Sequence, residues 1–287
     1  MRLRVGRIPF LVCAPFFFDF LGREGCFPDV DFVDGPPSDH CKGLKNGSIH
    51  LSPASSITFA QKPGAFVLSP ELCTSCSFEV RSVKLFSKFP VEKLGGRKVL
   101  MSFQSQTSVA LVRILLECRF GIRPDYKEVL PGVASRILND FTLYGNSFEE
   151  VDACVLIGDH ALEENQRHRF EFSYDLGSLW QEWQGLPFVF GAWIIAKEAL
   201  VPELRPTLVE YMENTRRSIE KFRLNPSAAL DRWLAKYPVC LPRSVVEDYY
   251  GVLDYHFTED RKQSLSLFFE YAKKLGLVEI SPKIEFL

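Results

Sequence analysis

Three stretches of this 287-residue sequence place small polar residues where a helix is expected to follow directly on a strand. They are Ser52-Pro53-Ala54-Ser55-Ser56, the run from Ser102 through Ser105, Thr107 and Ser108, and the Gly158-Asp159 turn after Ile157. In open α/β sheets ligands sit beyond the carboxyl ends of strands. A helix N-terminus there offers free N–H groups and the positive end of the helix dipole, which suit a carboxylate or phosphate. Plain N-capping by Ser or Thr explains any one such turn equally well. Two of them in different halves of the chain point to a two-point anion site. Its candidate substrate-binding residues are Ser55, Ser56, Ser105, Thr107, Ser108, Gly158 and Asp159.

Other chemistries lack their motifs. Neither GxGxxG nor a GxxxxGK phosphate loop is present, so no nucleotide cofactor is expected, and GxSxG and HExxH are absent too. The five histidines show no ligand spacing. His50, in a strand just before the Ser52 turn, and His160, after Asp159, are the two placed to reach a ligand. Cys73-Thr74-Ser75-Cys76 is the one CxxC pair among eight cysteines, and it has no second pair or His pair to complete a zinc site. It precedes what reads as a strand, and two reduced thiols are expected. No metal site is expected either.

These turns need elements to hold them. Leu3–Ile8 has strand character, and the loop Pro9–Pro15 leads into an aromatic-rich helix start. A strand over Val30–Val33, a helix capped by Ser38 and a short strand over Ile49–Leu51 follow, and Ser52–Ser56 is expected to open another helix. Val80–Ser87 and Lys98–Met101 read as strands, then an apolar helix over Thr107–Phe120 and a strand starting over Tyr126–Leu130. Val151–Ile157 is an apolar run broken only at Asp152, as expected of a central parallel strand. From Pro202 onward the pattern is helical, punctuated at Asn225-Pro226, Tyr237-Pro238 and Leu241-Pro242. Strands and helices alternating over short connections predict an α/β layer structure in two lobes with a helical C-terminal tail. The expected lobes are residues 1–85 with 194–287, and 86–193, with a cleft between them.

Bulk composition agrees. The chain is 46% hydrophobic and 24% charged with a formal net charge of −2, the balance of a folded globular protein without the basic footprint that nucleic acid requires. Pro9 and Pro15 interrupt the apolar N-terminal run, and no other run reaches the length of a membrane span, so a cytoplasmic protein without membrane partners is expected.

The segment Asp175–Trp193 is unusual. Trp180 and Trp183 share one helical face, Gly185 stops that helix and Pro187 begins an extended return strand. It reads as a crossing between lobes beside the cleft.

Taken in order, several pieces resemble the MqnA family, chorismate dehydratases of the futalosine route to menaquinone. They are Gly6-Arg7-Ile8-Pro9-Phe10-Leu11 with Pro15, Ser52–Ile57, Val80-Arg81-Ser82-Val83, Thr107–Leu111, Leu156–Asp159 and the Asp175–Trp193 block. The resemblance implies a two-lobed type II periplasmic-binding-protein-like fold. It also implies a cofactor-independent carbon–oxygen lyase that removes water from chorismate to give 3-(1-carboxyvinyloxy)benzoate, acting as a monomer or homodimer. It adds Ser82 to the substrate-binding set and makes Val12, Trp180 and Phe188 the expected cleft wall. Val12 stands where the family usually has Asn, and His50 where it usually has Asp. No protein base stands out in the matched motifs, so the enolpyruvyl carboxylate of the substrate is expected to take the proton. The alternative is a non-catalytic protein of the same fold that binds or senses a small anion.

Overall fold

Apolar runs become strands, and the strands sort into two sheets. The computed structural model describes residues 1–102, 104–128 and 151–287. Its strands are β1 (Leu3–Arg7), β2 (Val30–Asp34), β3 (Leu51–Ser55), β4 (Phe66–Cys76), β5 (Val83–Ser87), β6 (Lys98–Met101), β7 (Asp125–Glu128), β8 (Ala153–Ile157), β9 (Phe172–Asp175), β10 (Phe188–Ala196) and β11 (Asp254–His256). The first sheet has the order β11-β4-β10-β3-β1-β2 and the second β7-β6-β8-β5-β9. Each is mixed. β1 runs parallel to β2 and β3, while β10 is antiparallel to β3 and β4. β8 runs parallel to β6 and antiparallel to β5. The apolar sequences Phe188–Ala196 and Ala153–Ile157 thus lie inside their sheets, where both faces are covered.

Among the described residues the chain crosses between the sheets twice, after Cys76 at the end of β4 and after Asp175 at the end of β9. One apolar core runs through both, from Val5, Leu51 and Ile194 to Val99, Leu111 and Val155. The helix Arg205–Leu224 packs on Ala14–Phe17 beside the first sheet. The helix Glu259–Lys274 lies on β10 and also meets the helix Gln106–Ile114 of the second lobe. The tail therefore touches both lobes.

Several expectations are corrected. Ser52–Ser56 does not open a helix: β3 runs through to Ser55, wholly buried, and the helix after it is only Thr58–Gln61. Pro53 stands opposite Trp193 in a pair that makes no hydrogen bond, since the bonds to β10 fall in step with His50 and Ser56, and the pairing to β1 is made at Leu51, short of the proline. The expected lobe boundaries fall inside strands. Leu85 pairs with Val155 and Tyr174 in the second sheet, and residues 188–193 pair in the first, so the sheets divide the chain near 77–82 and 176–187. Cys73 and Cys76 do precede a strand, β5, but themselves form the end of β4, with their thiols bonded to the carbonyls of His256 and Phe78. The tail is not all helix, since β11 pairs with β4. The expected strand over Tyr126–Leu130 is β7, shifted to start at Asp125; residues 129 and 130 lie outside the described residues.

Candidate active site

Where the two sheets face each other, a cleft is lined by side chains from both. Ile8, Phe10, Val12, Ser55 and Thr74 come from the first sheet and its loops; Ser82, Ser105, Ser108, Ile157 and Gly158 come from the second half. Phe190 and Gly191 of β10 form part of its wall. Five of the eight expected binding residues, Ser55, Ser82, Ser105, Ser108 and Gly158, meet there.

The hydroxyls are arranged by proton counting. Ser105 caps the helix Gln106–Ile114: its Oγ accepts the N–H of Ser108 at 3.3 Å and the Ser108 hydroxyl at 3.0 Å. With both acceptor positions used, its own proton points to Ser55 Oγ, 3.4 Å away across the cleft. Ser55 keeps its proton for a guest. Ser82 Oγ accepts the Tyr249 hydroxyl at 2.7 Å, which leaves its proton likewise available. Thr74, on β4, adds a further hydroxyl to the lining. Sequence reading missed it because β4 itself, with Pro70 in its middle, was not expected as a strand.

Ser56 and Thr107 behave differently. Both are fully buried. Ser56 donates to the Val189 carbonyl at 2.9 Å, so Thr107 supplies the proton of the 3.2 Å bond between them. Thr107 Oγ1 also accepts the Ile57 N–H at 3.1 Å. These two hydroxyls join the sheets instead of facing the cleft.

Asp159 also joins them. Its carboxylate accepts the Leu11 N–H at 3.3 Å, and burial raises its pKa to about 7. Next to it, Gly158 has φ +60°, and a Cβ there would meet the Phe10 ring at 3.2 Å. Only glycine suits both the left-handed backbone and that approach. From the other side, Tyr250 and Tyr255 donate to the carbonyls of Leu11 and Val12 at 2.5 and 2.9 Å. The loop carrying Val12 is therefore held at both faces.

Asp175 fastens the crossings. Its carboxylate caps the helix Leu176–Gln184 through the N–H groups of Gly177 and Ser178, and also accepts those of Val80 and Arg81 on the first crossing. Burial keeps its carboxyl above the usual carboxylate range even so. Arg81 sits at φ 61°, a strained conformation for a non-glycine residue, held by the 2.7 Å bond from its N–H to Asp175. A Cβ on Gly177 would lie 2.5 Å from Cys76 Sγ, so the two crossings approach too closely for any side chain there.

Trp180 and Phe188 are not on the cleft wall. Trp180 is fully buried against Phe188, Phe268 and Tyr271, with its indole N–H on Ser264 Oγ at 3.0 Å. Phe190, whose ring centroid is 4.7 Å from that of Phe188, stands at the cleft instead. His50 is buried beside β1, its Nδ1 accepting the Arg4 N–H at 3.1 Å, and burial lowers its pKa. His160 is outside the lining, 3.9 Å from Glu163. Among the described residues no group of three His, Cys, Asp or Glu is placed to hold a metal ion.

Two lobes, each on its own mixed sheet and joined by two crossings about a cleft, define a periplasmic-binding-protein-like fold. Solved structures agree. A protein from Archaeoglobus fulgidus superposes with TM-score 0.73 at 20% identity, covering 96% of this chain and 98% of that one. The periplasmic aliphatic sulphonate binding protein SsuA from Escherichia coli superposes with TM-score 0.67 at 15% identity over 99% and 95%. A Candida albicans protein described as having the generic periplasmic binding protein fold gives 0.66 at 10% identity over 100% and 97%. The family model for menaquinone biosynthesis matches residues 3–274, and the chain belongs to that family, as its motifs led us to expect. It is 27% identical over 256 residues to a chorismate dehydratase from Thermus thermophilus, which spans 84% of this chain and 85% of the relative.

Proposed function

We propose that this protein removes water from chorismate, giving 3-(1-carboxyvinyloxy)benzoate for menaquinone biosynthesis. The observation that carries the reading is the set of hydroxyls, Ser55 and Thr74 from one sheet and Ser82, Ser105 and Ser108 from the other half, converging on one cleft of a chain in the menaquinone biosynthesis family.

Chemistry supports it. The C3 proton of chorismate is vinylogous to the ring carboxylate, and the C4 hydroxyl is the leaving group. Taking the proton first pushes charge into that carboxylate, and hydroxyl donors aimed at it stabilise the transition state more than the ground state. The helix starting at Gln106 turns its positive end to the same region. The reaction is redox-neutral and its product aromatic, so the site has to position a dianion and exclude water. Among the described residues the cleft lining contributes neither a carboxylate nor an imidazole. The enolpyruvyl carboxylate of the substrate then takes the C3 proton, and an analogue without it binds but is not dehydrated.

The cleft measures about 90 Å³, whereas sites for small molecules commonly span about 300–1,000 Å³. Substrate entry on this reading requires the lobes to part, breaking the contacts of Asp159 and Thr107, and closure restores them. No described helix is long and apolar enough to cross a membrane. The reading places the protein in the cytoplasm, as a monomer or homodimer, with no cofactor.

The test is ultraviolet absorbance of chorismate with the purified protein, following loss of the diene and gain of the aromatic product. Turnover supports the proposal. Binding without spectral change overturns it in favour of a non-catalytic anion-binding protein, and no response to chorismate overturns it in favour of another ligand.

A further inference from the structure

A second cavity of about 480 Å³ lies behind the loop Leu11–Cys13, and no described residue lines both it and the cleft. Its walls are Pro15, Ile219, Phe222 and Leu230 with the rings of Tyr250 and Tyr255. The volume is within the about 300–1,000 Å³ typical of small-molecule sites, and the composition, mostly apolar with a few polar groups at one end, is theirs too. Phe222 and Tyr250 already form an aromatic pair with centroids 4.8 Å apart, onto which a further ring can pack.

The polar end favours negative charge. Arg223 and Glu247 both stand there. Glu247 is occupied by Arg243 at 2.7 Å, which cancels its charge locally. Arg223 is less well matched: its carboxylate partner, Asp254, is 3.5 Å away and is held closer, at 3.0 Å, by Arg261. One of its nitrogens lies 2.5 Å from His256 Nε2, which brings no negative charge, and a guanidinium has five N–H donors to place. Pro226 and Ser227, which begin the helix Pro226–Lys236, line the same end and add its positive dipole.

We propose that this cavity is a binding site for a small ring-bearing monocarboxylate, distinct from the cleft. The ring packs against Phe222, Tyr250 and Tyr255, and the carboxylate meets Arg223. The same two tyrosines donate their hydroxyls to the carbonyls of Leu11 and Val12, so the guest rests on the groups that hold the cleft loop in place.

Isothermal titration of the full chain with 3-phenylpropionate, in the absence of chorismate, tests the site independently of the activity proposed above. Saturable one-to-one binding is expected, weakened about tenfold by Arg223→Gln, equivalent to about 1.4 kcal/mol. Ser227→Trp, which fills the mouth, abolishes it, while Ser105→Ala in the cleft leaves it unchanged. Arg223 and Ser227 are exposed, so both variants fold, which an unshifted thermal midpoint verifies. The proposal is overturned by no saturation up to about 10 mM, by equal affinity for the neutral alcohol 3-phenylpropanol, or by loss of binding in the Ser105 variant.

Discussion

The carboxylate of Asp159 accepts the backbone N–H of Leu11 at 3.3 Å, tying the first helical turn after β8 to the loop that follows β1. The two groups are 148 residues apart in the chain and belong to different lobes. Beside them Phe10 packs on Gly158, so a polar and an apolar contact close the same edge of the cleft.

This contact titrates. Burial raises the Asp159 carboxyl to about 7, against about 3.9 for a free aspartate. Between those values the native state holds a proton that the unfolded chain has released, so Asp159 lowers stability as pH rises from about 4 to about 7. Its contribution is then constant at higher pH. Asp175, also raised, acts in the same direction and remains in an Asp159 variant. The curve of thermal midpoint against pH, wild type minus Asp159→Asn, is expected to fall across that window. A flat difference would show that Asp159 titrates normally.

Thr107 accepts from Ile57 and donates to Ser56 while fully buried. Thr107→Val keeps its shape but strands the Ile57 N–H, and is expected to cost about 1–3 kcal/mol in urea denaturation. Thr107→Ser retains the hydroxyl and should cost less. A loss for Thr107→Val no larger than that for Thr107→Ser would show that the hydroxyl contributes no more than the methyl group.

Gly158→Ala and Gly22→Ala form a matched pair. Both glycines have positive φ, +60° and +68°, but a Cβ at Gly22 meets nothing within 4 Å whereas one at Gly158 meets Phe10. The backbone cost of about 1–2 kcal/mol is common to both. Only Gly158→Ala should also wedge the lobes apart, lowering kcat on chorismate and enlarging the scattering radius.

Val12 lines the cleft, and its carbonyl is fixed by Tyr255 at 2.9 Å, so the side chain can be changed without moving the loop. An apolar side chain neither donates to nor accepts from a substrate hydroxyl. Val12→Asn is expected to raise kcat for chorismate loss in the absorbance assay while shifting the thermal midpoint little. Unchanged kcat would mean that a neighbour such as Thr74 already meets the substrate hydroxyl.

Local sequence was sufficient wherever one stretch of chain settles its own structure. The apolar runs of β8 and β10, the Gly185 stop and the proline-punctuated tail helices were all legible, because periodicity and helix stops are properties of neighbouring residues. The Ser105 and Gly158 motifs were legible too, as polar turns beyond apolar strands, whereas Ser55 lies at the end of β3 itself and not in the turn expected there. Their division of labour was not legible. Ser55 and Ser56 are adjacent, yet one faces the cleft and the other bonds Thr107 and Val189 in the core, a choice set by strand alternation and by what the opposite lobe presents. Trp180 and Phe188 carried the strongest local signal for a wall, but the tail helix Glu259–Lys274 covers them, leaving Phe190 at the cleft. The edge strand β11, the hydroxyl of Thr74 and the tyrosines behind Val12 likewise depend on contacts between residues distant in the chain. Their positions were decided only by the folding of the tail against the sheets, since burial and hydrogen-bond partners are settled by which surfaces meet.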